Sequence, residues 1–426
     1  MKIFDCIAEV VGHTEFGITT NIYEAGLSSI GAIKLNVLLS KAFDAAVTSR
    51  DLKENNTIDK LETFLIGASV GAEVFEVQPD YGLSKTQEGV YVESIARTED
   101  TIYNIPILLE ISDEIDTEKL KSAVVAAVNA HPILKTRLFI NDDGDVRMRR
   151  MDGDFSFDES CVKERDIVSL DDEKKNLVKP FKLLGGRLFR VEILHGEKTW
   201  LFIEMHHIIS DGSSTAIFLN DISAAYEGKE LETESYSGYE VVLNEEKLRA
   251  GEAYKKAKNY YEKLLDGAET QSLPAGDMIN AEQPVTRVYE MLADGLEADE
   301  LKAWCEKSKA SMNGLFSAAF GLTLNKYLGT ESVVFAGIYS GRNDSRLAST
   351  IAMLVKTLPI AVSIHSGKTT AQLAHEVSEQ LVDSQSNDIY SFAEISRALN
   401  VNADVMFAWQ GDEFIFDKLC GKPAKL

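Results

Sequence analysis

The stretch His206-His207-Ile208-Ile209-Ser210-Asp211-Gly212 is the most informative part of the chain for both fold and chemistry. It follows an apolar run at 200–205, which predicts a buried strand. Ser213-Ser214, a good helix N-cap, comes directly after the motif, and apolar residues then recur at helical spacing. The two histidines therefore lie where a strand ends and a helix has not yet begun, a common place for reactive side chains on a rigid scaffold.

Adjacent side chains that leave a strand point to opposite sides, so one histidine can face a channel while the other faces the interior. An imidazole titrates near neutral pH and can accept, donate or position a proton. The pattern fits a catalytic loop, and it also fits a packed loop with a hydrogen-bonded core histidine. A metal at His206, His207 and Asp211 is disfavoured, since the adjacent side chains diverge and no HExxH motif occurs. A serine hydrolase is less favoured still, since no strand-to-helix turn with a GxSxG nucleophile elbow is predicted.

The composition is that of a globular protein with two or three domains: 426 residues, 45% hydrophobic and 26% charged. The net charge of −24 argues against nucleic acid or an anionic membrane as the main partner. We see no apolar run of membrane-spanning length, and residues 1–12 are too short and too acidic a start for a signal peptide. Four widely spaced cysteines form no CxxC pair, which favours reduced thiols in the cytoplasm.

The first 67 residues are predicted to form a small all-helical unit. Apolar residues recur at helical spacing in three runs, near residues 3–10, 30–37 and 58–65. The connection 12–27 ends at a serine pair, and Ser29 lies at the N-terminal edge of the second helix. A serine in this place can simply cap the helix. Residues 68–80 have no clear period and are interpreted as a linker.

Strands and helices alternate through the rest of the chain, on both sides of a loop region around Pro274 and Pro284. This pattern predicts two α/β lobes without an internal sequence repeat. The predicted elements are strand 105–111, a helix from Asp116 to Pro132, strands 135–140, 188–194 and 200–205, a polar helix 245–265, helix 313–327, strands 333–338 and 358–364, and helix 369–382.

The stretch Ile22-Tyr23-Glu24-Ala25-Gly26-Leu27-Ser28-Ser29-Ile30-Gly31-Ala32-Ile33-Lys34-Leu35, with residues 50–58, resembles the carrier proteins of nonribosomal peptide synthetases. In that family a serine before an apolar residue carries 4'-phosphopantetheine, and the resemblance assigns this role to Ser29. A phosphopantetheinyl transferase is the implied partner. A hydroxyl at a helix start suits a phosphate, which the helix dipole favours. Ser28 stands where the family usually has Asp or His, a difference that concerns partner recognition.

From Leu83 onward the chain resembles a condensation domain of the same synthetases, with the two-lobed fold of chloramphenicol acetyltransferase. The matching segments occur in the family's order: 83–87, 131–137, 180–181 with 185–188, the HHxxxDG motif, 236–239, 341–342 and 351–359. The resemblance implies a carrier bundle at 1–67, a linker at 68–80, a condensation-domain N-terminal lobe at 81–270 and a C-terminal lobe at 271–426. The resemblance also explains why the carrier comes first in the chain, since a donor carrier precedes its condensation domain in such synthetases.

The family forms amides: the amine of an aminoacyl group on a downstream carrier attacks a thioester held on the upstream carrier. The resemblance places His207 in the tunnel between the lobes, where it deprotonates the amine or holds it. His206 is expected to pack inward. Gly212, without a Cβ, would let its backbone approach the reacting carbonyl. Sequence does not separate the two roles of His207.

Asp211 is predicted to be structural, because a buried carboxylate needs a cationic or donor partner to stay ionised. On family grounds that partner is Arg137 or Lys135. Lys135 stands where the family often has Arg, and the two are not equivalent in a bidentate contact.

Two related readings remain open: an epimerase of the same fold, and a non-catalytic relative that docks a tailoring enzyme. The Gly212-Ser213-Ser214 continuation, with no Trp there, favours condensation over epimerisation, and the intact motif disfavours the docking module. The match reaches a late family strand at 405–410 and the chain then stops, so we expect a fragment of a larger synthetase with an incomplete second lobe. An adenylation domain and an acceptor carrier are the expected partners.

Overall fold

The computed structural model describes residues 2–27, 29–68, 75–151, 157–268, 270, 273, 288–293, 295–365, 367–410 and 416–426. The backbone contacts divide the chain into two units. The first unit comprises Met1–Ala72, Glu252–Ser345 and Lys356–Trp409, and the second unit comprises Glu73–Gly251, Arg346–Val355 and Gln410–Leu426. Part of the predicted linker, 69–74, lies outside the described residues.

The N-terminal helices begin the first unit. They are α1 (Lys2–Val11), α2 (Ser29–Phe43), α3 (Ser49–Glu54) and α4 (Ile58–Ala68). Their apolar stripes meet in a core of their own, in which Ile7, Leu35 and Leu61 are fully buried. This arrangement confirms the three predicted helices. Sequence analysis missed α3, a single short element whose start is a capping box between Thr48 and Asp51.

The later helices and strands of the chain follow in this order: α5 (Lys85–Ala96), β1 (Asn104–Ile111), α6 (Thr117–Ala130), β2 (Arg137–Ile140), β3 (Val146–Arg149), β4 (Val162–Asp166), α7 (Leu170–Leu177), β5 (Phe189–His195), β6 (Thr199–His206), α8 (Gly212–Tyr226), α9 (Gly238–Ala250), α10 (Glu252–Leu264), α11 (Ala298–Ser308), α12 (Met312–Leu328), β7 (Ser332–Tyr339), β8 (Lys356–Ser363), α13 (Thr370–Ser386), α14 (Phe392–Leu399), β9 (Met406–Phe407), β10 (Lys418–Leu419) and β11 (Lys422–Lys425).

The main sheet of the second unit has the strand order β10-β11-β1-β6-β5-β4. Neighbours are antiparallel except β4 and β5, which are parallel. Strand β6 lies in the interior of the sheet, and every residue from Trp200 to His206 is buried. A central strand buried on both faces is near-continuously apolar, which is why 200–205 was recognisable from sequence.

Register places the end of β6 against β1 and β5. His206 pairs with Asn104 of β1, and Met205 pairs with Phe189 of β5. Helices α6 and α8 contribute to the core of this unit, where Val124, Phe218 and Ile222 are fully buried. The sheet thus presents the residues after His206 at one strand end.

Two predicted elements are wrong in detail. The predicted strand 135–140 is a 3-10 turn (Pro132–Lys135) followed by β2, because Pro132 starts a turn closed by the bond from Thr136 N to Ile133 O at 3.1 Å. The predicted helix 245–265 is two helices, α9 and α10. Gly251 separates them with an extended backbone (φ −106°, ψ −167°), so the helical hydrogen bonding stops there.

The chain's final strands were assigned to the second lobe at 271–426, and the structure places them elsewhere. Strand β11 pairs with β1, with Glu110 opposite Lys425, and β10 pairs with β11. An edge strand has unpaired backbone groups, and β11 pairs with the last two residues of β1, Glu110 and Ile111. Of the predicted late strand 405–410, only Met406–Phe407 forms β9.

The first unit has its own small sheet, in the order β8-β7-β9, with β9 parallel to β7. Helices α12 and α13 pack on it. A Cβ at Gly321 of α12 would lie 2.6 Å from a methyl carbon of Val362, so only glycine allows this close approach. Within the described ranges, every helix is too short or too polar to cross a lipid bilayer.

Candidate functional site

Backbone hydrogen bonds from both neighbouring strand ends hold the two histidines. The amide of His206 donates to Leu188 O at 2.8 Å, and the amide of His207 donates to Tyr103 O at 2.7 Å. A 3-10 turn over His207–Ile209 follows, closed by the amide of Ser210 on His207 O at 3.2 Å. The histidine pair is therefore on a short, fixed turn.

His206 lies in the interior, with 4% of its surface exposed. Its Nδ1 accepts from the amide of Ile208 at 3.2 Å, and its ring meets Phe181 edge-on with centroids 6.0 Å apart. Burial, helped by the neighbouring His207, lowers the pKa of His206 to about 4. This ring is neutral at physiological pH and acts as a packed, hydrogen-bonded group.

His207 is partly exposed and lies edge-on to Tyr103, with ring centroids 6.5 Å apart. Its Nδ1 is buried and has no hydrogen-bond partner among the described residues. A buried ring nitrogen without a partner is unusual in a structural histidine, because such a group loses its solvation without compensation. The opposite environments of the two rings follow from the alternation of side chains at the end of β6.

Asp211, and not the predicted Ser213-Ser214 pair, caps helix α8, because its carboxylate reaches the amide of Ser214; it is 3% exposed. Its Oδ1 accepts from the amide of Ser214 at 2.8 Å and from the hydroxyl of Ser214 at 2.7 Å. Its Oδ2 accepts from the amide of Leu354 at 3.0 Å. Gly212, the first residue of α8, is exposed.

Ser214 and Glu234 hold the same distant segment as Asp211. The Ser214 hydroxyl oxygen lies 2.9 Å from Ala352 O and accepts from the amide of Ala352 at 3.2 Å. Glu234 Oε1 accepts from the amide of Ile351 at 2.7 Å. Side chains of the second unit thus bind the main chain of residues 351–354. Sequence analysis named this segment as a motif but did not predict that Asp211, Ser214 and Glu234 hydrogen-bond to it.

His131 forms a buried ionic cluster that sequence analysis also missed. Its Nδ1 is 2.6 Å from Glu234 Oε1 and its Nε2 is 2.7 Å from Asp221 Oδ2. Burial works to lower the pKa of His131, but hydrogen bonds to Asp221 and Glu234 outweigh it and raise the pKa to about 9. The imidazolium therefore connects the end of α6, helix α8 and the carboxylate that holds Ile351.

Gln87 on α5 supports the histidine turn directly. Its Nε2 donates to Ile208 O at 2.8 Å, and its Oε1 accepts from the amide of Ser84 at 2.9 Å. The spacing of Ser84 and Gln87 is a capping box, which indicates a helix start in the sequence. The bond to Ile208 has no such signal, since a backbone carbonyl can belong to any residue type.

Arg137 and Lys135 are both near the end of the turn that follows α6. The guanidinium of Arg137 donates to Thr136 O at 2.9 Å, and burial, followed by the nearby Arg187, lowers its pKa. Lys135 is 7% exposed. The pairing of Asp211 with one of these cations stays a prediction.

Ser29 is the first residue of α2, a helix of 15 residues. Gly26 precedes it in a left-handed conformation (φ +100°), and Leu27 is 4% exposed in the helical core. Ser28 lies outside the described residues.

Metal ligands do not cluster in the described part of the chain: no group of three or more His, Cys, Asp or Glu residues there could hold an ion.

Two sequence families match the chain, in the order predicted above. The family described as Phosphopantetheine attachment site matches residues 2–65, and the family described as Condensation domain matches residues 77–414. Among curated proteins, surfactin synthase subunit 1 of Bacillus subtilis (strain 168) is 25% identical over 418 residues, covering 95% of this chain and 11% of the relative. Bacitracin synthase 1 of Bacillus licheniformis is 27% identical over 417 residues, covering 95% and 8%. The chain spans about a tenth of the length of these two relatives.

Solved structures agree on the fold. The first condensation domain of the calcium-dependent antibiotic synthetase superposes with a TM-score of 0.60 at 17% identity, covering 77% of this chain and 80% of that one. The starter condensation domain of rhizomide synthetase gives 0.64 at 16% identity, covering 81% of both. The X-domain from teicoplanin biosynthesis gives 0.64 at 19% identity, covering 78% and 76%.

Proposed function

Because the chain belongs to the condensation-domain family and has a phosphopantetheine attachment-site domain ahead of it, we propose that it forms an amide bond between two carrier-bound substrates in nonribosomal peptide synthesis. Residues 1–67 act as the donor carrier, 68–80 as linker, and the remainder as the condensation domain, with the boundary between its two lobes in the sequence near residue 270. The residues 416–426 join the sheet of the first lobe.

The observation that carries this proposal is the contrast between the two histidines of one turn. His206 is buried with its pKa lowered to about 4, so it contributes packing. His207 is partly exposed, and its Nδ1 has no partner among the described residues. An intact motif with one ring fixed inside and the other accessible supports catalysis over a purely structural turn.

The N-terminal domain suits a covalently attached arm at Ser29. This residue opens a helix of 15 residues, where backbone amides have no helical acceptors and the dipole favours a phosphate. When bound, the phosphopantetheine arm would supply the donor group as a thioester, an acyl group already activated toward an amine. Ser29 would supply the hydroxyl oxygen of the phosphodiester.

His207 would act on the attacking amine. Its ring takes or holds the proton that the amine loses as the C–N bond forms, and that proton ends on the departing thiol. A thioester is already activated, so positioning of the amine supplies a large share of the acceleration. Gly212, exposed at the start of α8, leaves room for the reacting carbonyl beside the turn. Asp211 and His206 hold the turn in shape.

The partners follow from the same proposal. A phosphopantetheinyl transferase loads Ser29, an adenylation domain supplies the donor, and a downstream carrier brings the amine. We place these events in the cytoplasm, because Cys6, Cys161, Cys305 and Cys420 are all free thiols, as expected in a reducing compartment.

The test is a reconstituted condensation with donor loaded on this chain and an aminoacyl group on a downstream carrier. His207→Ala should slow amide formation by about 10²–10⁴-fold. His195→Ala is the matched control, since that histidine is on β5 and pairs with Glu164 at 2.7 Å. Equal rates for wild type and His207→Ala would remove the assigned role. An inactive wild type with both carriers shown to be loaded would favour the docking-module reading.

A further inference from the structure

Within the first unit, residues 47–49 of the N-terminal domain pair with residues 343–345, which belong to the matched condensation domain. Thr48 and Asp344 form an antiparallel bridge. The amide of Ser345 donates to Val47 O at 3.0 Å, and the amide of Ser49 donates to Asn343 O at 2.6 Å. Pairing of two extended segments is a known way for a protein surface to bind a partner, because the main-chain bonds supply affinity and nearby side chains supply specificity.

Buried polar groups close this contact. Asn36 of α2 is fully buried and Ser49 is 2% exposed. Asn36 Nδ2 donates to Ser49 Oγ at 3.1 Å and to Asn343 O at 3.3 Å, and the amide of Val47 donates to Ser345 Oγ at 3.1 Å. Buried polar groups are costly unless paired. Asn36 Nδ2 and the amide of Val47 find partners across the contact, whereas the buried Asn36 Oδ1 has none among the described residues.

Two cations of α3 meet the C-terminal end of α13. Both Nε and Nη2 of Arg50 lie 3.4 Å from Ser386 O, and Lys53 Nζ lies 2.7 Å from Asp383 Oδ1. The last carbonyls of a helix have no acceptor role inside it and carry partial negative charge, which favours cations there. Asn343 Nδ2 donates to Gln385 O at 3.2 Å, so the same helix end also holds the 343–345 loop.

A pair of opposite sign completes the pattern. Glu54 Oε1 lies 2.6 Å from Lys256 Nζ of α10. Two cations followed by an anion on the N-terminal domain thus face an anionic helix end and a lysine. This order of charges fits one orientation of the N-terminal domain on the surface. It disfavours carrier domains whose charges at these positions are arranged differently. Exposed pairs of this kind contribute little each, so the contact can open and close.

We propose that residues 343–345 and the C-terminal end of α13 form a docking surface specific for residues 47–54 of the chain's own carrier. The surface would select this carrier as donor and bind it reversibly, so that the carrier can dissociate and bind other domains of the synthetase. This inference deepens the proposed function and rests on it for the identity of the carrier as donor. The contact itself can be measured without any condensation.

The experiment is hydrogen exchange on the full chain, following peptides that contain the amides of Ser49 and Ser345. In wild type both amides should exchange slowly. Lys53→Glu and Asp383→Lys should each speed their exchange by about two- to fivefold, the range of an exposed ion pair. The double charge swap should restore wild-type exchange. Lys60→Glu, a change at an exposed lysine on α4, is the control and should alter nothing.

Rapid exchange of both amides in wild type would overturn the proposal, as would a double swap that exchanges no more slowly than the single variants. A single variant that loses protection throughout its core helices has unfolded. In that case the second swap, Glu54→Lys with Lys256→Glu, tests an independent ion pair. The single variants should again exchange faster at Ser49 and Ser345, and the double swap should restore wild-type exchange. Lost condensation with unchanged exchange would count against the proposed function and leave the docking surface standing.

Discussion

The carboxylate of Asp211 accepts a hydrogen bond from the backbone amide of Leu354 at 3.0 Å, across 143 residues of sequence. Its other oxygen accepts from the amide and hydroxyl of Ser214, at 2.8 and 2.7 Å. One side chain of the HHxxxDG motif therefore caps a helix and anchors a distant segment. These contacts support the predicted structural role for Asp211.

Asp211→Ala should lower the free energy of unfolding by about 2–4 kcal/mol, because it removes a helix cap and leaves the buried amide of Leu354 without an acceptor. Asp211→Asn keeps an oxygen acceptor of the same shape and should cost clearly less. Chemical denaturation of the three proteins measures the difference. Unchanged stability together with lost amide formation would instead give Asp211 a chemical role.

Ser29 should be the attachment site of the phosphopantetheine arm. After incubation with a phosphopantetheinyl transferase and coenzyme A, the intact mass of wild type and of Ser28→Ala should rise by one phosphopantetheine group. Ser29→Ala should stay unmodified, because it lacks the hydroxyl at the start of α2. Fragmentation of the loaded peptide identifies the serine. Modification at Ser28, or at neither serine, would refute the assignment.

His131 should make stability fall on the alkaline side of neutrality. Its pKa is about 9 in the folded protein against 6.5 for the free side chain, so the folded state keeps a proton that the unfolded state loses. The contribution is complete below pH 6.5 and is lost as pH rises through 9, about 3 kcal/mol in all. Unfolding free energies across this range should be flatter for His131→Gln. Parallel curves for the two proteins would show that the cluster does not hold its proton.

His206 should make the stability of the folded protein fall on the acid side of neutrality. Its pKa is about 4 in the folded protein, below the free value of 6.5, so its contribution to stability is present above pH 6.5 and is lost as pH falls toward 4. Many carboxylates titrate in the same range, and the informative quantity is the difference between wild type and His206→Gln. That difference should change between pH 6.5 and pH 4. A constant difference would mean that this ring is not held neutral by burial.

His206→Ala should also damage folding, by about 2–4 kcal/mol, since it opens a cavity beside Phe181. The same truncation at His195, which is partly exposed on β5, should cost much less. Denaturation midpoints at pH 7 compare the two. A larger loss at His195 would contradict the interior assignment of His206.

Local sequence patterns predicted much of the fold. The apolar run at 200–205 and the helix after the histidine turn were recognisable because a buried strand and an amphipathic helix each leave a periodic signature, although the helix begins at Gly212, ahead of the predicted serine cap. The family matches confirm the order of carrier and condensation domain. The wrong predictions are those in which one residue changes the backbone conformation within an otherwise regular pattern. Gly251 divides a predicted helix, and Pro132 starts a turn that takes the place of the first residue of a predicted strand.

The sequence by itself determined the element types, the domain order and the position of the candidate catalytic turn, because these depend on residues close together in the chain. Only the tertiary structure decided which groups meet from far apart: Asp211 with Leu354, His131 with Glu234, and β11 with β1. Two of these contacts end on main-chain atoms, which every residue type shares, so no side-chain pattern marks them. The third brings His131 and Glu234 together in a buried place, where hydrogen bonds to Glu234 and Asp221 raise the pKa of His131 against the effect of burial, and this place exists only once the chain has packed.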